Sequence, residues 1–329
     1  MDDEFLNQYR QAPRPEFARQ LQERIERPMY VRPSPLRQTL KRWSPALLAA
    51  SVILAAILIF TLPPARLLAQ DFLGLFRVRK FAAITVDPQR IKQLDSANLD
   101  LEKLVGDQVH VNKEPGKPVQ VASPQEAGKR AGFTVAVPTN LPQDAKLEVY
   151  VQGEGSATIT ANTEKLQSVL DVLGINDVQI PQSLNGAKIT VNKPAAVLFE
   201  YTLKNGKLSL MQSPSPEVDL PKGVNLAQLG EIGLRVLGLP RDQAHDLAQK
   251  VDWSSTFLIP VPANAGQVRQ VTVSGADGLM LTSNGNAVNG NRPYARGDSI
   301  ILWANNNMVY ALQGNASAVD LLEIANSVK

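Results

Sequence analysis

Eighteen consecutive residues, Pro45 to Leu62, carry no charge and read PALLAASVILAAILIFTL. At about 1.5 Å per helical residue the run spans roughly 27 Å, close to the hydrocarbon thickness of a bilayer. A buried helix of a soluble protein rarely runs so far without a strongly polar side chain. A cleaved signal peptide is the other rival. It is disfavoured by the long segment that precedes the run, and by Leu67 standing where Leu67-Leu68-Ala69-Gln70 would need a small residue. The run therefore predicts one transmembrane helix over 44–64, in contact with the lipid bilayer. Arg27, Arg32, Arg37, Lys41 and Arg42 lie before it, and Arg66, Arg77, Arg79 and Lys80 after it. This excess on the N-terminal side predicts a cell-membrane protein with a cytoplasmic N-terminus and an extracytoplasmic C-terminal domain.

The tail, 1–43, reads as a short basic segment with an amphipathic helix. Pro15 suits a first helical position, where its missing N–H costs nothing. Phe17, Leu21 and Ile25 recur every fourth residue and share one helical face. They are the candidate docking residues for a cytoplasmic regulatory protein or a membrane regulator. A helix this short needs a partner or lipid to order it. The competing reading is a basic tail that only hugs the membrane and sets topology. Lys41, Arg42 and Trp43 are the candidate membrane-interface residues.

Composition bounds the rest. The chain has no cysteine, which excludes a disulfide framework and a cysteine-ligated metal. A net charge of +3 is too small to point to nucleic acid. With 23 Pro, 21 Gly and only 5% aromatic residues, the sequence is that of strands and turns. The predicted fold class is α+β: one transmembrane helix, then an exported domain of mainly antiparallel sheet with packed helices.

Residues 65–124 read as a juxtamembrane strand, helix and loop. Leu67 to Phe76 is amphipathic and extends the anchor, Arg77 to Val86 is one strand, 89–105 has helical spacing, and Lys113 to Pro124 is a loop. The extracytoplasmic α+β domain occupies 125–329. Ser123, Asn162 or Thr163, and Ser317 are suitable N-caps. Residues 131–152 read as strand, turn, strand. Asn205-Gly206 predicts a type I′ hairpin, because both central residues need positive φ. Ile300–Trp303 pairs with Met308–Leu312 across an Asn turn. Ser213-Pro-Ser-Pro216 reads as a linker or loop that could divide two subdomains. The echo of Asp171-Val-Leu-Gly-Ile175 in Arg235-Val-Leu-Gly-Leu239 raises the possibility of two similar subdomains, and 125–329 is compatible with one core or two.

Chemistry-bearing motifs are few. His110 and His245 are the two histidines, and neither has a metal-ligand spacing. His245 beside Asp242 and Asp246 reads as a solvated helix face. Gly153-Glu154-Gly155 reads as a turn, because it lacks the third glycine and the Lys-Ser/Thr of a phosphate loop. Arg296-Gly297-Asp298 reads as a turn feeding a strand. Asn315-Ala316-Ser317 is a glycosylation signal only in a eukaryotic secretory pathway. No catalytic residue, cofactor or metal is predicted, and the chain is not read as an enzyme.

The run from Ser299 to Ser327 has a strand with Trp303, a strand carrying Tyr310-Ala-Leu-Gln-Gly314, and a helix ending Ile324-Ala325-Asn-Ser327. With Ala131-Gly-Phe-Thr-Val-Ala-Val-Pro138 and Leu141-Pro142, it resembles an uncharacterised domain at the C-terminus of bacterial membrane-anchored anti-sigma-type regulators and sporulation lipoprotein-carrier-like proteins. The resemblance implies an exported sensor or scaffold on a single-pass anchor. It also implies a relation to the lipoprotein-carrier fold, a curved antiparallel sheet with helices that can hold a lipid. Zinc-type anti-sigma proteins carry a His and paired Cys in a longer cytoplasmic domain. This tail has neither, so an accessory role beside another membrane regulator fits better than direct wrapping of a sigma factor. Two expectations follow: a single-pass envelope sensor whose tail reports inward, or a membrane-tethered binder of a lipid or envelope ligand.

Overall fold

Runs of alternating apolar and polar side chains, punctuated by Asn, Gly and Pro, build strands that pair mostly antiparallel. The computed structural model describes residues 75–90, 93, 109–204, 206–220, 224–285, 288–289, 292–293 and 297–329. Strands β1 (Leu75–Arg77), β2 (Lys80–Val86), β3 (Val109–Lys113) and β4 (Val119–Val121) precede helix α1 (Pro124–Ala131). Next come β5 (Lys146–Gln152), β6 (Gly155–Thr160), α2 (Thr163–Val172), β7 (Lys188–Lys193), β8 (Ala196–Leu203), β9 (Gly206–Pro214) and β10 (Glu217–Asp219). The last part holds α3 (Leu226–Val236), α4 (Arg241–Lys250), β11 (Thr256–Pro262), β12 (Gly266–Val273) and β13 (Ala276–Ser283). It closes with the short pair β14 (Val288–Asn289) and β15 (Arg292–Pro293), then β16 (Ser299–Asn305), β17 (Met308–Gly314) and α5 (Ala318–Asn326). The fold is mixed α+β with mostly antiparallel sheet.

An eight-stranded sheet has the order β12-β13-β16-β17-β9-β8-β5-β4, and a five-stranded sheet the order β1-β10-β7-β6-β3. The strands β4, β5, β8 and β9 of the first continue along the chain as β3, β6, β7 and β10 of the second, in the same lateral order. Four neighbouring passes of the chain are therefore bent across one common crease. Each pass carries a ladder-breaking residue there: Pro115, Gly116 and Pro118; Gly153; Pro194; and Pro216. Proline removes a ladder donor, and glycine allows backbones to approach. A Cβ on Gly153 would sit 3.1 Å from the Pro115 carbonyl oxygen, and one on Gly155 3.0 Å from Pro115 Cδ.

The eight-stranded sheet has a core on each face. Its outer face buries Val149, Phe199, Leu210, Ile301, Trp303 and Leu312 beneath Ala127 of α1 and Leu321, Ile324 and Ala325 of α5. Its inner face contributes Leu279 and Ala304 to a core shared with Ile159 and Ile189 of the smaller sheet, Leu170 of α2, and Leu229 and Ile232 of α3. The parallel pair β2–β11 supplies Phe81 and Phe257 to that core. On its other side Ile84, Val86 and Leu258 pack with α3, α4 and Trp253. Trp253 is 1% exposed and donates its Nε1 hydrogen to Ala248 O at 2.8 Å.

Local signals act as the sequence predicts at several element ends. The side chains of Ser123, Asn162 and Ser317 accept from the backbone N–H groups of Glu126, Lys165 and Asp320, so each caps its helix. Asn305 pairs with Met308, and Asn306 and Asn307 between them take φ of 50° and 64°, the geometry of a type I′ hairpin. The echoed pentapeptides are one cap used twice. Gly174 and Gly238 have positive φ, and their N–H groups donate to Asp171 O and Arg235 O. Ile175 and Leu239 then donate to Leu170 O and Leu234 O, completing a Schellman motif in each case. Cap chemistry accounts for the likeness.

Other expectations are corrected. Ser213–Pro216 is a loop only at Ser215 and Pro216: β9 runs through Pro214, Ser213 and Ser215 are buried, and β10 begins at Glu217. Lys113–Pro124 contains β4, an edge strand whose only partner among the described residues is β5. Arg77–Val86 is divided at Val78 and Arg79, where β1 leaves β10 and β2 joins β11. Leu75 and Phe76 belong to β1 instead of a helix. Residues 134–137 run without a strand ladder, because the Gln212 side-chain amide binds both Ala136 N at 2.8 Å and Ala136 O at 2.7 Å in place of a neighbouring strand. The hairpin at 205–206 is shifted by one residue: Leu203 pairs with Gly206, which opens β9. Among the described residues, no helix is long and apolar enough to cross a membrane. The run Pro45–Leu62 lies outside the described residues, as does most of 89–105.

Candidate functional site: crease and inner face of the bent sheet

Breaking four ladders in one line frees backbone groups that side chains must satisfy. At the crease the Gln152 amide donates to Gly116 O at 3.1 Å. Lys193 Nζ donates to Gly153 O and Pro194 O, each at 3.4 Å. Ser213 Oγ donates to Ala195 O at 3.0 Å. Ser215 Oγ accepts from Val78 N at 2.6 Å, and Ser215 N donates to Asn307 O at 2.8 Å. Arg77 closes the β1 end with an ion pair to Glu217 at 3.0 Å, and Lys113 and Glu154 pair beside the tight Gly153–Glu154 bend. Burial pushes the Lys193 ammonium down to about 8 from its ordinary 10.5. Gln152 Oε1 is buried with no hydrogen-bond partner among the described residues.

Beyond the crease, strand register arranges the inner face in rows, because residues directly opposite one another share a face. The first row is apolar: Tyr150, Leu198, Met211, Ala311, Leu302 and Leu279. The next is polar towards β5: Glu148, Glu200, Ser209 and Gln313, ending at Ile300 and Leu281. The third brings Lys146, Thr202 and Lys207 to the rim. Glu200, Ser209 and Gln313 are 5%, 2% and 5% exposed. Tyr150 donates its hydroxyl hydrogen to Glu148 Oε2 at 3.2 Å. Gln313 Oε1 is a second buried acceptor with no hydrogen-bond partner among the described residues. Chemically this is a buried polar stripe beside an apolar one. Sequence reading misses it, since Glu148, Glu200, Ser209 and Gln313 lie far apart along the chain and only register assembles them.

The predicted docking residues Phe17, Leu21 and Ile25, and the predicted interface residues Lys41, Arg42 and Trp43, lie outside the described residues. His110 is on β3 and His245 on α4. His245 Nδ1 lies 2.8 Å from Glu231 Oε2 of α3, so its carboxylate partner is not a neighbour in sequence. Among the described residues, no three His, Cys, Asp or Glu side chains group to hold a metal ion. Gly297, at φ 93°, turns the chain into β16, with Gly297 N donating to Ser283 O and Ser283 N to Asp298 O.

Residues 137–140 and 327–329 meet in space. Val137 and Lys329 exchange backbone hydrogen bonds of 2.9 and 3.2 Å, and Ser327 Oγ accepts from Thr139 N and Asn140 N. Trp303 and Tyr310 stack with ring centroids 4.9 Å apart. Gly314 admits β9: a Cβ there would lie 3.0 Å from Leu208 Cδ1 and 3.2 Å from Lys207 O. No family model, curated protein or solved structure matches the chain.

Proposed function

We propose that the chain is a single-pass bacterial membrane protein whose extracytoplasmic α+β domain senses or binds a ligand. In this reading it is an anti-sigma-type regulatory accessory, related to the C-terminal domains of membrane-anchored regulators. The charge-free run Pro45–Leu62 carries the reading: it separates a short basic tail from a large strand-rich domain. The tail reports inward through the face of Phe17, Leu21 and Ile25, and Lys41, Arg42 and Trp43 sit at the lipid interface. The test is in-cell crosslinking and affinity purification of the full chain beside a form lacking residues 1–43, read by mass spectrometry. A cytoplasmic regulator captured only by the full chain supports the proposal. Identical partners for both forms, with an unchanged cellular response, overturn it.

A second reading is a membrane-tethered binder of a lipid or envelope polymer. It is favoured by the apolar row Leu198–Met211–Ala311 lying beside the polar row Glu200–Ser209–Gln313 on the inner face. It requires a lipid or glycan that co-purifies with the chain in the absence of any cytoplasmic partner. A ligand-free preparation counts against it.

A further inference from the structure

We draw no further inference here: the strongest candidate, the buried inner-face row of Glu200, Ser209 and Gln313 on the eight-stranded sheet, carries nothing because no described residue shows what covers it.

Discussion

Lys193 sits at the crease with its ammonium desolvated, and replacing it by Met isolates the cost of that burial. A fall from 10.5 to about 8 corresponds, at about 1.4 kcal/mol per pKa unit, to about 3–4 kcal/mol of destabilisation at pH 7. Lys193→Met removes that cost. It also loses the polar contacts of the ammonium, among them two long hydrogen bonds to Gly153 O and Pro194 O, each worth about 0.5–1 kcal/mol. The net expectation is a gain of about 1–2 kcal/mol, or roughly 2–6 °C in Tm for a domain of this size. The pH dependence has a definite sign. Below about 8 the amine is charged in both folded and unfolded chains, and the burial cost is fully present. Between about 8 and 10.5 the folded chain gives up its proton first, so wild-type stability rises with pH. Tyr201 acts in the opposite sense. Burial pushes its phenol up to about 12, so stability falls as the unfolded phenol ionises between about 10 and 12. Thermal unfolding of both proteins across pH 7–11 measures this. Wild-type Tm should rise above pH 8 and turn over near 10, and the advantage of Lys193→Met should shrink over the same interval. A Lys193→Met protein less stable than wild type at pH 7, or a wild-type Tm flat from pH 8 to 10, refutes the reasoning.

Three further substitutions probe other parts of the fold. Gly314→Val forces a side chain against Leu208 and the Lys207 carbonyl, and should cost about 1–3 kcal/mol in denaturant unfolding. Trp253→Ala empties the centre of the core under α3 and α4 and should cost about 3–5 kcal/mol; an effect below 1 kcal/mol would mean that the core collapses freely. Asn307 has φ of 64°, so Asn307→Val should lose about 1–2 kcal/mol while Asn307→Gly stays close to wild type, both read from urea midpoints.

What the sequence revealed was local. Ser123, Asn162 and Ser317 declare helix starts because a cap is a contact between residues three apart. Asn306-Asn307 declares a hairpin because positive φ is a property of the residues themselves. The crease was illegible for the opposite reason. Pro115, Gly153, Pro194 and Pro216 each look like the end of an element, and only strand order shows that they fall on one line. Ser213–Pro216 shows this: its prolines suggest a loop, but the break is confined to Ser215 and Pro216, where the chain passes from one sheet to the other. The inner-face row was hidden for a related reason. Glu200, Ser209 and Gln313 become neighbours through pairings of β8 with β9 and β9 with β17, and no single stretch of sequence contains them. The helical echo has a local cause: a glycine-terminated helix repeats at Gly174 and Gly238 because its cap chemistry repeats.

The proposed single membrane crossing at Pro45–Leu62 is open to a direct test, because the chain has no cysteine. Single cysteines introduced by Ser34→Cys and Ser274→Cys would be challenged in intact cells with a membrane-impermeant maleimide. Ser274 is exposed at the β12–β13 turn, so its replacement should be reached from outside. The prediction is labelling of the cysteine at 274 in intact cells, and of the one at 34 only after lysis, with the chain retained in membranes after carbonate washing. Labelling of both only after lysis, or release of the chain by carbonate, contradicts it.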